Sequence, residues 1–173
     1  MIYKLKDTGQ LNKEINDILK TNNAEINQLK NTGSCLYNVR KIKQIERTDV
    51  IEINENSRCN FEIFENGLLL RINDNQHYYA IALTETNCIE IVIQKGKEKV
   101  FPISNTAVLI ALGFKKEYLR NNWFLNGGFY NERLKLSIRT KEEYFELDSQ
   151  GSNYKSAIKF FEKTKLKIKN NNT

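Results

Sequence analysis

Between Asn60 and Pro102 the chain alternates apolar and polar residues, and turn-forming residues break the alternation at intervals of about one strand's length. Extended backbone sends successive side chains to opposite faces, so this pattern demands half-buried strands joined by tight turns, an antiparallel meander. The clearest turn is Glu65-Asn66-Gly67. It separates Phe61-Glu62-Ile63-Phe64 from Leu68-Leu69-Leu70, and Asn-Gly accepts the backbone angles that a two-residue hairpin requires. Asn73-Asp74-Asn75 and Lys95-Gly96-Lys97 supply further turns, with strands expected over 78–83 and 89–93 between them. Val100-Phe101 ends the run, because Pro102 has no N–H to give to a ladder.

Helical spacing flanks the meander. From Leu11 to Leu29 the residues Leu11, Ile15, Ile18, Leu19, Ile26 and Leu29 share one side of a helix, although Thr21-Asn22-Asn23 weakens its middle. That stripe needs a surface, either the chain's own body or another molecule. Residues 36–45 and 50–53 are β-leaning. After Pro102, Ser104 or Asn105 is placed to cap a short apolar helix over 107–112 that Gly113 closes, and a charged turn follows at Lys115-Lys116-Glu117. Alternation returns at Leu134, Leu136 and Ile138 and again over 144–148. Ser152 is placed to cap a last helix, whose Tyr154, Ala157, Ile158 and Phe161 fall on one face.

Length and composition bound the rest. A domain of about 150 residues buries roughly 70% of its unfolded surface, so 173 residues support one core without staples. Cys35, Cys59 and Cys88 are odd in number and far apart, which suits neither a disulfide framework nor a zinc-ligand spacing and points to idle thiols in a reducing compartment. The opening Met1-Ile2-Tyr3-Lys4-Leu5-Lys6 lacks an apolar stretch of signal-peptide length, so a cytoplasmic location is expected. Of the net charge of +6, Lys163, Lys165, Lys167 and Lys169 supply four units near the C-terminus, leaving the body nearly neutral. Only seven of the 27 basic residues are arginine, the residue that reads and stacks on bases, which argues against nucleic acid.

The order of elements resembles the pleckstrin-homology-like (PH-like) barrel superfamily: five strands from Asn60, an insertion, two more strands and an amphipathic C-terminal helix. The likeness rests on residues 61–70 at its start and on Tyr144-Phe145-Glu146-Leu147 running into Tyr154–Phe161 at its end. It implies an α+β fold in which an antiparallel meander forms a barrel or strongly bent sheet with a capping helix. The chain would divide into an N-terminal helix and β extension over 1–57, a PH-like domain over 58–165 with a helical and aromatic insertion at 103–131, and a basic disordered tail over 166–173. The resemblance also implies a binding module, whose members take phosphoinositide head groups, peptides or partner proteins without the fold choosing between them; a non-enzymatic module for a protein or peptide is the expectation here. Members that bind phosphoinositides carry basic residues around the first hairpin, where this chain has Glu65.

No residue pattern identifies a reaction, a cofactor or a metal. His77 is the only histidine, which precludes a histidine-rich metal cluster. Glu142, Glu146 and Asp148 share strand parity and could form an acid-base pair, yet alternation with Tyr144, Phe145 and Leu147 reads more simply as the wet face of a strand. Two groups remain as binding candidates. Trp123, Phe124, Phe129 and Tyr130 surround Gly127-Gly128, and so many aromatics are expected to pack as a lid over the sheet unless they meet a partner. Lys95, Lys97 and Lys99 crowd one turn and could meet an anion. Protein or peptide is the expected partner; the alternative is a peripheral adaptor that uses the aromatic loop and the lysine tail together on an anionic membrane, and the further alternative is an enzyme of unrecognised type, which needs a carboxylate-lined cavity.

Overall fold

The structure, a computed structural model, describes residues 2–5, 11, 13–19, 34–44, 53–75 and 77–171. Its main feature is a nine-stranded, mostly antiparallel sheet. In chain order the strands are β1 (Ile2–Leu5), β2 (Tyr37–Gln44), β3 (Arg58–Phe64), β4 (Gly67–Asp74), β5 (His77–Thr84) and β6 (Cys88–Gln94); β7 (Glu98–Val100) and β8 (Phe129–Asn131) form a separate ribbon; β9 (Leu134–Thr140), β10 (Glu143–Ser149) and β11 (Ile168–Asn171) complete the large sheet. Helices are α1 (Lys13–Leu19), α2 (Asn105–Ala111), α3 (Lys116–Asn121) and α4 (Tyr154–Phe161). The strand order β1-β5-β4-β3-β2-β10-β9-β6-β11 leaves β1 and β11 as free edges, so the sheet is not closed into a barrel.

Alternation sets which side chains enter the core. Cys59 and Phe61 of β3, Ile91 and Ile93 of β6, Leu134, Leu136 and Ile138 of β9, and Phe145 and Leu147 of β10 are all buried in one cluster with Ala157, Phe160 and Phe161 of α4. Phe61 sits at its centre. Its ring meets Tyr37 edge-on at 5.5 Å and Phe161 at 5.2 Å, so α4 is anchored directly on the sheet. The uninterrupted Leu68-Leu69-Leu70 of β4 is explained by two covered faces: Leu68 and Leu70 join the main core, while Leu69 packs with Leu5, Ala80, Ala82 and the α1 residues Ile15 and Leu19. Leu11, Ile15 and Leu19 of the N-terminal stripe therefore seat on the chain's own sheet, whereas Ile18 is left exposed. The stripe beyond Leu19, and the β-leaning residues 50–52, lie outside the described residues.

The Asn66-Gly67 hairpin forms with Phe64 opposite Gly67. A side chain at Gly67 would run into the backbone of Leu83 on β5, so this turn needs glycine for space. Ser104 caps α2, its Oγ accepting from the Ala107 N–H at 3.1 Å. Ser152 does not cap α4: it lies inside a 3-10 turn over Gly151–Asn153, and the flanking Asn153 makes no side-chain cap bond. Two other readings change. Lys115-Lys116-Glu117 is no simple turn but the entry to α3, with Glu117 in the first turn where the helix dipole favours an acid. Residues 168–171, expected in a disordered tail, pair in parallel with β6, and Lys169 binds Glu90 at 2.6 Å. Finally, β2 lies between β3 and β10, so residues 37–44, read as part of an extension, are an interior strand.

Candidate functional site

The insertion between β7 and β8 is an ordered piece of structure with an uncovered surface. Its frame is polar: Ser104 Oγ donates to the Phe101 carbonyl at 2.7 Å, and Thr106 Oγ1 donates to the Leu125 carbonyl at 2.7 Å. Gly128 lies so close to Thr106 that any side chain there would collide with it. Leu119 of α3 is buried, Arg120 pairs with Glu98 and sits 5.8 Å over the Phe129 ring, and Phe101 stacks on Tyr130 at 4.5 Å. Of the four aromatics marked in the sequence, Phe129 and Tyr130 are thus half-buried supports of this frame. Trp123 and Phe124 are not. They stack on each other at 3.6 Å and are each 74% exposed, which overturns the lid expected over the sheet.

They have company. Phe101, Ile103, Val108, Leu112, Phe114 and Tyr118 are exposed as well, so eight of the eleven exposed large hydrophobics among the described residues fall between positions 101 and 124. The sequence carries one sign of this, a stretch from Phe101 to Phe114 without a single charged residue. Such a stretch normally marks a buried segment, and so the pattern misleads.

At the root of the insertion the three marked lysines come together with residues not singled out in the sequence. Lys95, Lys97, Lys99 and Tyr130 line a cleft of ≈ 740 Å³ with Glu132, Arg133 and Lys135. Lys99 pairs with Glu132; that hydrogen bond holds the Glu132 carboxyl below the usual carboxylate range and raises the Lys99 ammonium. Arg133 reaches Asp148 at 2.6 Å, and Lys95 lies 5.9 Å over the Tyr154 ring. Arg133 and Lys135 could have been found only by working out which strand crosses opposite Lys95–Lys99, since they are distant in sequence.

The remaining candidates are committed to structure. Asp148 is buried and accepts from Arg40 at 2.6 Å, from Arg133 and from Asn38 at 3.4 Å, while Glu146 is half-buried and Glu142 lies exposed before β10. His77 begins β5 and packs edge-on to Tyr79 at 6.3 Å. Burial pushes the Cys88 thiol up to about 11 and raises that of Cys59, which keeps both protonated at neutral pH. Buried Asp74 anchors the 53–57 loop, accepting from Asn54 Nδ2 at 2.7 Å and Ser57 Oγ at 2.9 Å. Burial alone would raise its carboxyl, but those hydrogen bonds outweigh it and leave the group below its ordinary value of 3.8.

Among the described residues no group of three or more His, Cys, Asp or Glu side chains is placed to hold a metal ion, and no helix is long and apolar enough to cross a membrane. Comparison with models of known families, with curated proteins and with solved structures gave no match.

Proposed function

We propose that this chain is a non-enzymatic interaction module that docks a protein partner on the exposed face of the 98–131 insertion. The carrying observation is the concentration of uncovered large apolar side chains on a segment whose own hydrogen bonds, ion pair and ring stacking hold it in shape. So many exposed large apolar side chains within one segment of an otherwise well-packed domain are a usual mark of an interaction site. Trp123, Tyr118 and Arg120 are of the residue types that anchor protein interfaces. Of the four tail lysines Lys169 is paired with Glu90, which leaves three exposed for the alternative of a membrane tether.

We read the scaffold beneath the insertion as PH-like. Seven antiparallel strands in the order β5-β4-β3-β2-β10-β9-β6, followed by α4 packed on their shared core, support this reading. That unit starts at Tyr37, and one cluster joining side chains from β1 through β11 favours a strongly bent sheet.

The test replaces Trp123 and Phe124 by serine. Cross-linking from the native cell followed by affinity purification should recover a defined protein at constant stoichiometry with the wild type and lose it with the variant, while the melting temperature stays within a degree or two. Equal recovery with both chains would refute the docking face. Capture of the wild type by anionic vesicles, lost in the variant and in high salt, would move the face to a lipid surface.

A further inference from the structure

We propose that the cleft at the root of the insertion binds a compact phosphate-bearing polyanion, gripped by Lys97 and Lys135 with Lys99 and Arg133 beside them. This goes beyond the docking of a protein on the aromatic face, and concerns a separate site.

Strand register explains how the charges gather. Gln94 pairs with Lys135 in the large sheet and Glu98 with Asn131 in the small ribbon, so three residues lie between the two pairs on either strand. The ladder thus passes from one sheet to the other without a slip, and the Glu132 N–H still donates to the Lys97 carbonyl at 2.9 Å. Gly96 permits this passage, because a side chain there would collide with the Glu132 carbonyl. Cations carried on both strands are consequently brought into one concave space instead of being spread along a surface.

The balance of charge in that space is uneven. Lys95, Lys97, Lys99, Arg133 and Lys135 gather against two carboxylates, Glu132 on Lys99 and Asp148 on Arg133, which leaves five positive charges against two negative, a net of +3. Arg133 and Lys99 are the cations of the cleft with a carboxylate partner, Asp148 and Glu132 respectively. Lys97 and Lys135 have no ion pair among the described residues, and here two such lysines share one concave space. Lysines crowded in this way repel one another, and an anion entering the cleft would relieve the repulsion.

The donors indicate the ligand's chemistry. Ammonium groups act as orientation-tolerant point charges that suit phosphate oxygens, and the Arg133 guanidinium adds a planar fork. Three net charges suit a ligand with more than one phosphate better than a lone carboxylate. A space of ≈ 740 Å³ falls in the range that encloses a small molecule and is too confined for a nucleic-acid duplex. Glu132 would act as a competitor: a phosphate arriving at Lys99 displaces it.

The probe is inorganic tripolyphosphate, titrated into the full chain by calorimetry and by thermal shift. Saturable binding is expected, accompanied by a rise in melting temperature. Lys97→Glu with Lys135→Glu should weaken it by about tenfold or more for each lysine reversed, the scale of a charge-assisted hydrogen bond. Lys116→Glu with Lys141→Glu, the same change in charge at exposed sites outside the cleft, should leave it unchanged. Absence of saturable binding to both the soluble probe and vesicles, or equal weakening in the control pair, overturns the proposal, the latter because it would show diffuse attraction. If the charge reversal prevents folding, Lys97→Gln with Lys135→Gln takes its place and the same weakening is expected. Vesicles of phosphatidylcholine and phosphatidate in equal parts separate the sources: binding to these alone assigns a lipid headgroup, binding to tripolyphosphate alone assigns a soluble ligand, and both support the shared chemistry.

Discussion

Phe161 is the side chain through which α4 holds the sheet, and Phe161→Ala measures that hold. The ring is fully buried and makes edge-on contacts at 5.2 Å with Phe61 and 5.3 Å with Phe160. Burying a phenylalanine is worth about 1.5–3 kcal/mol, and the cavity left by truncation raises the expected loss to about 3–5 kcal/mol. At about 2–4 °C per kcal/mol for a chain of this size, the midpoint should fall by roughly 6–20 °C. Urea unfolding followed by far-ultraviolet circular dichroism is the appropriate assay; the single tryptophan is already water-exposed and reports folding poorly. The slope with denaturant should not change, since the surface released on unfolding is nearly the same. Lys155→Ala, on the exposed side of α4, serves as a control within about 0.5 kcal/mol of wild type. A loss below about 1 kcal/mol at constant slope would refute the idea that α4 is part of the core.

Four other outcomes are expected. Trp123→Ala should cost at most about 1.5 kcal/mol, because only about a quarter of its surface is covered; a midpoint shift as large as that of Phe161→Ala would contradict its exposure. Asp148→Ala leaves Arg40 and Arg133 without their shared carboxylate, and should lower stability in urea by about 1–3 kcal/mol. Asp74 has a lowered carboxyl in the folded chain, so its contribution is complete above the ordinary value of 3.8 and fades as the pH falls below it; the acid side of the stability curve should flatten in Asp74→Asn. Cys59 and Cys88, buried and protonated, should resist a thiol reagent until the chain is unfolded, when all three cysteines react.

Much of the sheet was legible because its signals are local. Asn66-Gly67 specifies its hairpin from within, and alternation through β3, β6, β9 and β10 states which side chains enter the core. The α4 face was equally plain, although its start was misplaced at Ser152. What failed depends on distant partners. Neither Ile2–Leu5 nor Ile168–Asn171 has a pattern long enough to announce a strand; each exists because an edge, of β5 and β6 respectively, was available to pair with. Trp123 was misjudged for a related reason. Apolar character is written in the residues, but whether anything covers them is decided by how the insertion leaves the sheet. Lys95, Lys97 and Lys99 could be marked from one turn, whereas Arg133 and Lys135 required the cross-strand register.

The unbroken register through Gly96 also has a mechanical meaning. Because β7 and β8 continue the lines of β6 and β9, a partner tugging on the insertion pulls along the strands of the large sheet and not across them. β6 is flanked by β11 and β9 by β10, so the load spreads over whole ladders whose bonds lie crosswise to the pull. Ladders loaded in this shear geometry yield together, while a hairpin peeled from its side opens one bond at a time. If a partner docks on the insertion as proposed, the insertion would be a handle fixed to its support along the strong direction.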